Sequence, residues 1–107
     1  MLVALFNLFK KKPEVPPKKK VKIYPIGRVT HYFSKLKVAI VEIEQGDVTL
    51  EDILFIKGKL TRFRQRVRSI EYNHQKISKA PAGYEIGLQV GAKARVGDVV
   101  YKEVTSA

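Results

Sequence analysis

In the stretch TRFRQRVRS, residues 61–69, the arginines Arg62, Arg64, Arg66 and Arg68 recur at every second position. In an extended chain all four project from one face, while Phe63 and Val67 project from the other. Neighbours two apart on a strand lie ~6.6 Å from each other, and guanidinium groups cannot relieve their repulsion by losing a proton. The simplest account is a solvated face on a half-buried strand. The more specific one is a rail for a polyanion, extended by Lys57 and Lys59.

Other chemistry is poorly supported. His31 and His74 are the only histidines, and neither has a second ligand at a metal-binding spacing. His31, on an alternating strand, reads as a satisfied barrel residue or an RNA stacker, so no metal is expected. Glu42 and Glu44 would share a strand face and mimic a carboxylate pair. Beside Lys35, Lys37 and the arginines they read instead as cross-strand charge partners. Cysteine is absent, which removes disulfides, thiolate catalysis and zinc-thiolate sites together. The chain reads as non-enzymatic, without a cofactor, and the lack of cysteine favours a cytoplasmic setting.

The elements that must position the arginines are short. From Val21 onward, β-type runs alternate with turn signals: VKIYPIGRVTHYF (21–33), KVAIVEIE (37–44), ILFIKG (53–58), LTRFRQRVRSIEYNH (60–74), EIGLQV (85–90) and DVVYKE (98–103). A bulge or bend is expected near Pro25 and Gly27. QGD (45–47) marks a turn and KAPAG (79–83) a loop. No 3.6-residue apolar period follows residue 20. One domain of 107 residues with about six strands implies a small closed β-barrel or sandwich. Phe33 is expected in its core, with Tyr32 and Tyr72 as further candidates for stacking on bases.

Residues 1–21 differ in kind. MLVALFNLF (1–9) is too short to span a bilayer, and its lysines follow the apolar run rather than precede it, unlike a secretory signal. It reads as a short helix packed on the body or a partner, an interfacial foot or a disordered tail. KKKPEVPPKKK (10–20) is an extended charged linker, its prolines excluding helix and central strand. The net charge of +11 is concentrated in two places: seven lysines against Glu14 in residues 1–22, and six cations without an acid in residues 57–68. Such a distribution fits a footprint on nucleic acid or on an anionic membrane, the membrane being the less expected partner.

The order of IGRV (26–29), VAIVEI (38–43), LEDILFIKG (50–58), RVRSIEY (66–72), APAGYEIGL (80–88) and RVGDVVY (95–101) resembles domain 2 of elongation factor Tu and related translational GTPases. It is more similar still to the stand-alone translation elongation factor-like proteins, and a similar barrel closes some peptidases of the collagenase type. The resemblance implies an all-β fold, a six-stranded Greek-key β-barrel over residues 22–104. The turn at Glu51-Asp52 lacks the glycine common in that family. No G-x-x-x-x-G-K-[ST] loop is present, which excludes GTP hydrolysis on this chain.

Together these features predict a non-catalytic RNA-binding protein, ribosomal or ribosome-associated. It would contact ribosomal RNA or another structured RNA through Arg62, Arg64, Arg66, Arg68, Lys57 and Lys59. Lys10, Lys11, Lys12, Lys18, Lys19 and Lys20 would act as a tether, with MLVALFNLF available to ribosomal proteins. About eight phosphate contacts would cost about a thousandfold in affinity between 50 and 200 mM salt. The alternative is an accessory module of an RNA-modifying or peptidase-like enzyme, docking through the apolar N-terminus.

Overall fold

The computed structural model describes residues 20–106, with Lys20 and Ser106 described by backbone alone. MLVALFNLF and the tail lysines Lys10, Lys11, Lys12, Lys18 and Lys19 lie outside the described residues, as does the side chain of Lys20. What is described is all-β, with ten strands. They are β1 (Lys20–Phe33), β2 (Val38–Ile43), β3 (Asp47–Thr49), β4 (Ile53–Lys57), β5 (Arg62–Arg66), β6 (Ile70–Tyr72), β7 (Gln75–Ile77), β8 (Lys79–Pro81), β9 (Glu85–Gln89) and β10 (Val99–Ser106).

Eight strands form one antiparallel sheet in the order β5-β4-β10-β1-β2-β9-β6-β7, and β3 pairs with β8 in a separate ribbon. Among the described residues no ladder joins β5 to β7, so the sheet is open. This corrects the closed six-stranded barrel. The extra strands are three-residue pieces, too short to show a two-residue period. The expected long strand over 60–74 divides, because Val67 leaves regular register. Its N–H donates to the Asp52 carbonyl at 2.8 Å, and its carbonyl accepts from Glu51 N–H at 2.9 Å.

The bulge expected near Pro25 and Gly27 is present, as a register shift in the β1–β10 ladder. Gly27 is obligatory there, since a Cβ would run into the backbone carbonyl of Glu42. Beyond the shift, β1 and β10 continue as a ribbon from Pro25↔Tyr101 to Lys20↔Ser106.

Alternation along the strands fills the core. Val29, Val41, Ile43, Leu54, Ile56, Ile70, Ile86 and Val100 are all buried, most from strands whose flanking positions are partly or wholly exposed. Each such side chain contributes about 1.5–3 kcal/mol relative to exposure. A half-buried ionic cluster ties β10 to β3 and to the turn before β4, where the Lys102 ammonium meets Asp47 Oδ1 at 2.6 Å and Asp52 Oδ2 at 3.2 Å.

Candidate functional site

The arginine strip is carried by the β4–β5 hairpin, and the turn fixes its phase. Gly58 and Thr61 pair across the two-residue tip Lys59-Leu60 through Gly58 N–H to Thr61 O (2.8 Å) and Thr61 N–H to Gly58 O (3.5 Å). The ladder then sets Lys57 opposite Arg62, Phe55 opposite Arg64 and Ile53 opposite Arg66. A side chain at Gly58 would collide with buried Asp98. The Arg95 guanidinium pins the tip from the other side, donating to the Leu60 carbonyl at 2.8 Å and to Thr61 Oγ1 at 3.0 Å. Asp98 Oδ2 accepts the Arg95 N–H at 2.8 Å, which keeps that loop in place.

Arg62, Arg64 and Arg66 are exposed at alternate positions of β5, as the spacing predicts. Arg68 is exposed too, but it lies past the end of β5 and outside its ladder. Lys57 extends the strip directly across the ladder and Lys59 sits on the hairpin tip. The strip is not wholly bare of acids. Glu103 accepts two hydrogen bonds from Arg64, from Nε and Nη2, both at 3.0 Å. That bidentate pair raises the Arg64 pKa and holds the Glu103 carboxyl below its usual range. Arg66 lies 3.4 Å from Glu51, and Arg62 stands over the Phe55 ring at 5.9 Å. Six cations against these two carboxylates leave four positive charges unmatched among the described residues.

The other candidate residues separate. His31 and Phe33 form an exposed stacked pair, with centroids 6.4 Å apart and planes 6° from parallel. Phe33 is therefore outside, where the sequence predicts it inside, because its place at the end of β1 puts it opposite half-buried Val38 on the outer face. Tyr72 and Tyr84 stack at 4.0 Å and pack half-buried against the core. Glu44 does meet a cation, but it is Arg28 at 2.8 Å rather than Lys35 or Lys37. Glu42 faces Arg28 on one side and Glu85 on the other in register.

Sequence reasoning missed Gln65. Its amide bridges the end of β9, donating to the Gln89 carbonyl and accepting from Gly91 N–H, both at 2.8 Å. A polar residue at an inward-facing position of β5, between two outward arginines, was the available signal. Beside this clasp lies a cleft of about 430 Å³ lined by Gln65, Arg66, Arg68, Gln89, Val90 and Gly91.

No family model matches the chain. It is 39% identical over 82 residues to a collagenase of Porphyromonas gingivalis, across 76% of this chain and 20% of that protein. It is 34% identical over 77 residues to an uncharacterized protease of Methanocaldococcus jannaschii, across 71% of this chain and 19% of the other. These relatives are proteases by name, not elongation factors. The chain spans about one fifth of the length of the curated relatives it matches. Among solved structures, the C-terminal domain of a Geobacillus thermoleovorans protein described as a U32 peptidase superposes with a TM-score of 0.67 at 16% identity. That match covers 72% of this chain and 89% of the solved domain.

The translation-factor resemblance is thereby corrected, and with it the reading as a ribosomal or translational RNA-binding protein. Its quoted pieces specify turns rather than an occupation. Gly83 at φ +97° and Gly97 at φ +95° take the left-handed turns expected before β9 and β10. Turn chemistry favours such Gly, Pro and Asp signals in small β domains of different function. Among the described residues no helix is long and apolar enough to cross a membrane.

Proposed function

We infer that this chain is a non-catalytic β module of a peptidase-like protein of the collagenase and U32 type. It corresponds to the C-terminal domain of such a protein and serves its catalytic unit by binding rather than by chemistry. The observation that carries this is the extent of the matches. Identity to the collagenase is confined to one fifth of that protein, while the fold match covers nearly all of an isolated C-terminal domain. The four unmatched cations beside β5 supply the surface through which such a module would act.

The test uses the purified full chain and a collagenase-type catalytic polypeptide lacking the corresponding segment. The chain alone is expected to leave gelatin uncleaved, and to co-elute with the catalytic polypeptide in size-exclusion chromatography. Gelatin cleavage by the chain alone overturns the reading, as does failure of the folded chain to associate. A chain lacking residues 1–9 distinguishes docking through MLVALFNLF from docking through the described domain.

A further inference from the structure

The direction of the β5 backbone groups follows from its ladder. Thr61 bonds to Gly58 and Val67 bonds to Asp52, so the residues of this segment that bond inward to β4 are Thr61, Phe63, Gln65 and Val67. In an antiparallel pair the intervening residues turn their N–H and C=O away from the partner. Those residues are Arg62, Arg64 and Arg66, and among the described residues β5 is the end strand of the sheet. The same three residues thus present a row of edge amides and carbonyls together with a row of exposed guanidinium groups.

We propose that β5 is an addition site for an extended, acidic polypeptide strand. An open edge is a template for strand pairing. Two copies of β5 would set arginine against arginine, so the charges discourage self-pairing while admitting a strand of opposite sign. The internal pairs refine the preference. Arg64 is held by Glu103 in a bidentate pair, whereas Arg62 has no acid among the described residues and Arg66 only the exposed, 3.4 Å contact with Glu51. The favoured occupant carries carboxylates facing Arg62 and Arg66, four residues apart, with a neutral side chain between them over Arg64. Its alternate side chains point the other way, toward the cleft beside Gln65. A nucleic acid would meet the guanidinium groups but leave the backbone row unused. The edge is present whether or not the chain serves a peptidase.

The probe is a fluorescently labelled peptide, TVEVTVEVT, titrated into the full chain at low salt and read by anisotropy. Two analogues carry N-methyl groups, one at the glutamates and central threonine and the other at the valines. Strand addition uses the amides of one alternate set. Blocking that set is expected to weaken binding at least about tenfold, and blocking the other to change it less than about twofold. The Arg62, Arg64 and Arg66 amides should exchange more slowly in the complex. Replacing both glutamates of the peptide by lysine should remove binding, as should the paired changes Arg62→Gln and Arg66→Gln in a chain whose circular dichroism is unaltered. The proposal is overturned if the parent peptide does not bind or if both blocked analogues bind as it does. It is equally overturned if the three amides are unaffected while an oligouridylate binds the strip as tightly.

Discussion

Replacing Lys102 by methionine keeps most of the stem and removes the charge that holds β10, the start of β3 and the turn before β4 together. The ammonium lies 2.6 Å from Asp47 Oδ1, 3.2 Å from the Asp47 carbonyl and 3.2 Å from Asp52 Oδ2. Its side chain is 21% exposed, against 36% for Asp47 and 22% for Asp52. A fully exposed pair is worth at most about 1 kcal/mol, and breaking a fully buried one costs about 3–5 kcal/mol. This half-buried cluster falls between, nearer the lower limit because Asp47 is solvated and retains Lys79 at 3.7 Å. A loss of about 1.5 kcal/mol is expected, lowering Tm by roughly 6–12 °C. Urea unfolding followed by circular dichroism or tyrosine fluorescence measures it, since the chain has five tyrosines and no tryptophan.

The pH dependence gives a second arm. Hydrogen bonding to Lys102 lowers the Asp47 pKa, so that contribution is present above the unfolded value near 3.9 and is lost as pH falls through the folded one. Burial pulls the Lys102 pKa down, but the bonds to Asp47 and Asp52 outweigh it and leave it raised. Its contribution is present below about 10.4 and fades as pH rises through the folded value. The difference between wild type and Lys102→Met should therefore be flat from about pH 5 to 9 and shrink outside that window. A variant within about 0.3 kcal/mol of wild type, or one with no coupling to Asp47→Asn in a double-mutant cycle, would refute the reasoning.

Glu51 occupies φ +77°, so Glu51→Gly should relieve backbone strain and raise stability by up to about 1 kcal/mol in urea unfolding, despite losing the Arg66 contact. Gly27→Ala pushes a Cβ into the Glu42 carbonyl and should cost about 3 kcal/mol, read in the same assay. Gln65→Ala should speed hydrogen exchange at the Gly91 amide and destabilise by about 0.5–1 kcal/mol, since that N–H and the Gln89 carbonyl are exposed and exchange their partner for water. Arg64→Met should leave the urea midpoint nearly unchanged, because the guanidinium is solvated, while returning the Glu103 carboxyl toward the usual range, followed by carbon-detected NMR titration.

The short apolar runs bounded by turn signals were legible in the sequence to within a residue or two. VAIVEI and ILFIK appear as β2 and β4, because β-branched and aromatic runs of five or six residues between turns are too short for a helix, and alternate members of each are buried. The bend at Pro25 and Gly27 was equally readable, since proline removes a donor and glycine permits close approach. The missing glycine at Glu51 also had meaning: Glu51 takes the left-handed conformation itself, at φ +77°. What was illegible depended on distant partners. Nothing near Arg64 in sequence announces Glu103, 39 residues away, and nothing near Arg62 announces that β5 ends the sheet. The division of residues 60–74 into β5 and β6 was hidden for a similar reason. Val67 continues the alternation locally, and only its bonds to Glu51 and Asp52 reveal the departure.

The terminal ribbon has a further consequence. Lys20 and Ser106 are directly paired, which places their Cα atoms only about 5 Å apart. The fold therefore has a single doorway through which the polypeptide both arrives and departs. A host sequence can be opened at a surface bend and this unit spliced in without displacing the cut ends. By the same geometry, a circular permutant joined across that gap by a few residues and reopened within Ser34–Lys37 retains every ladder described above.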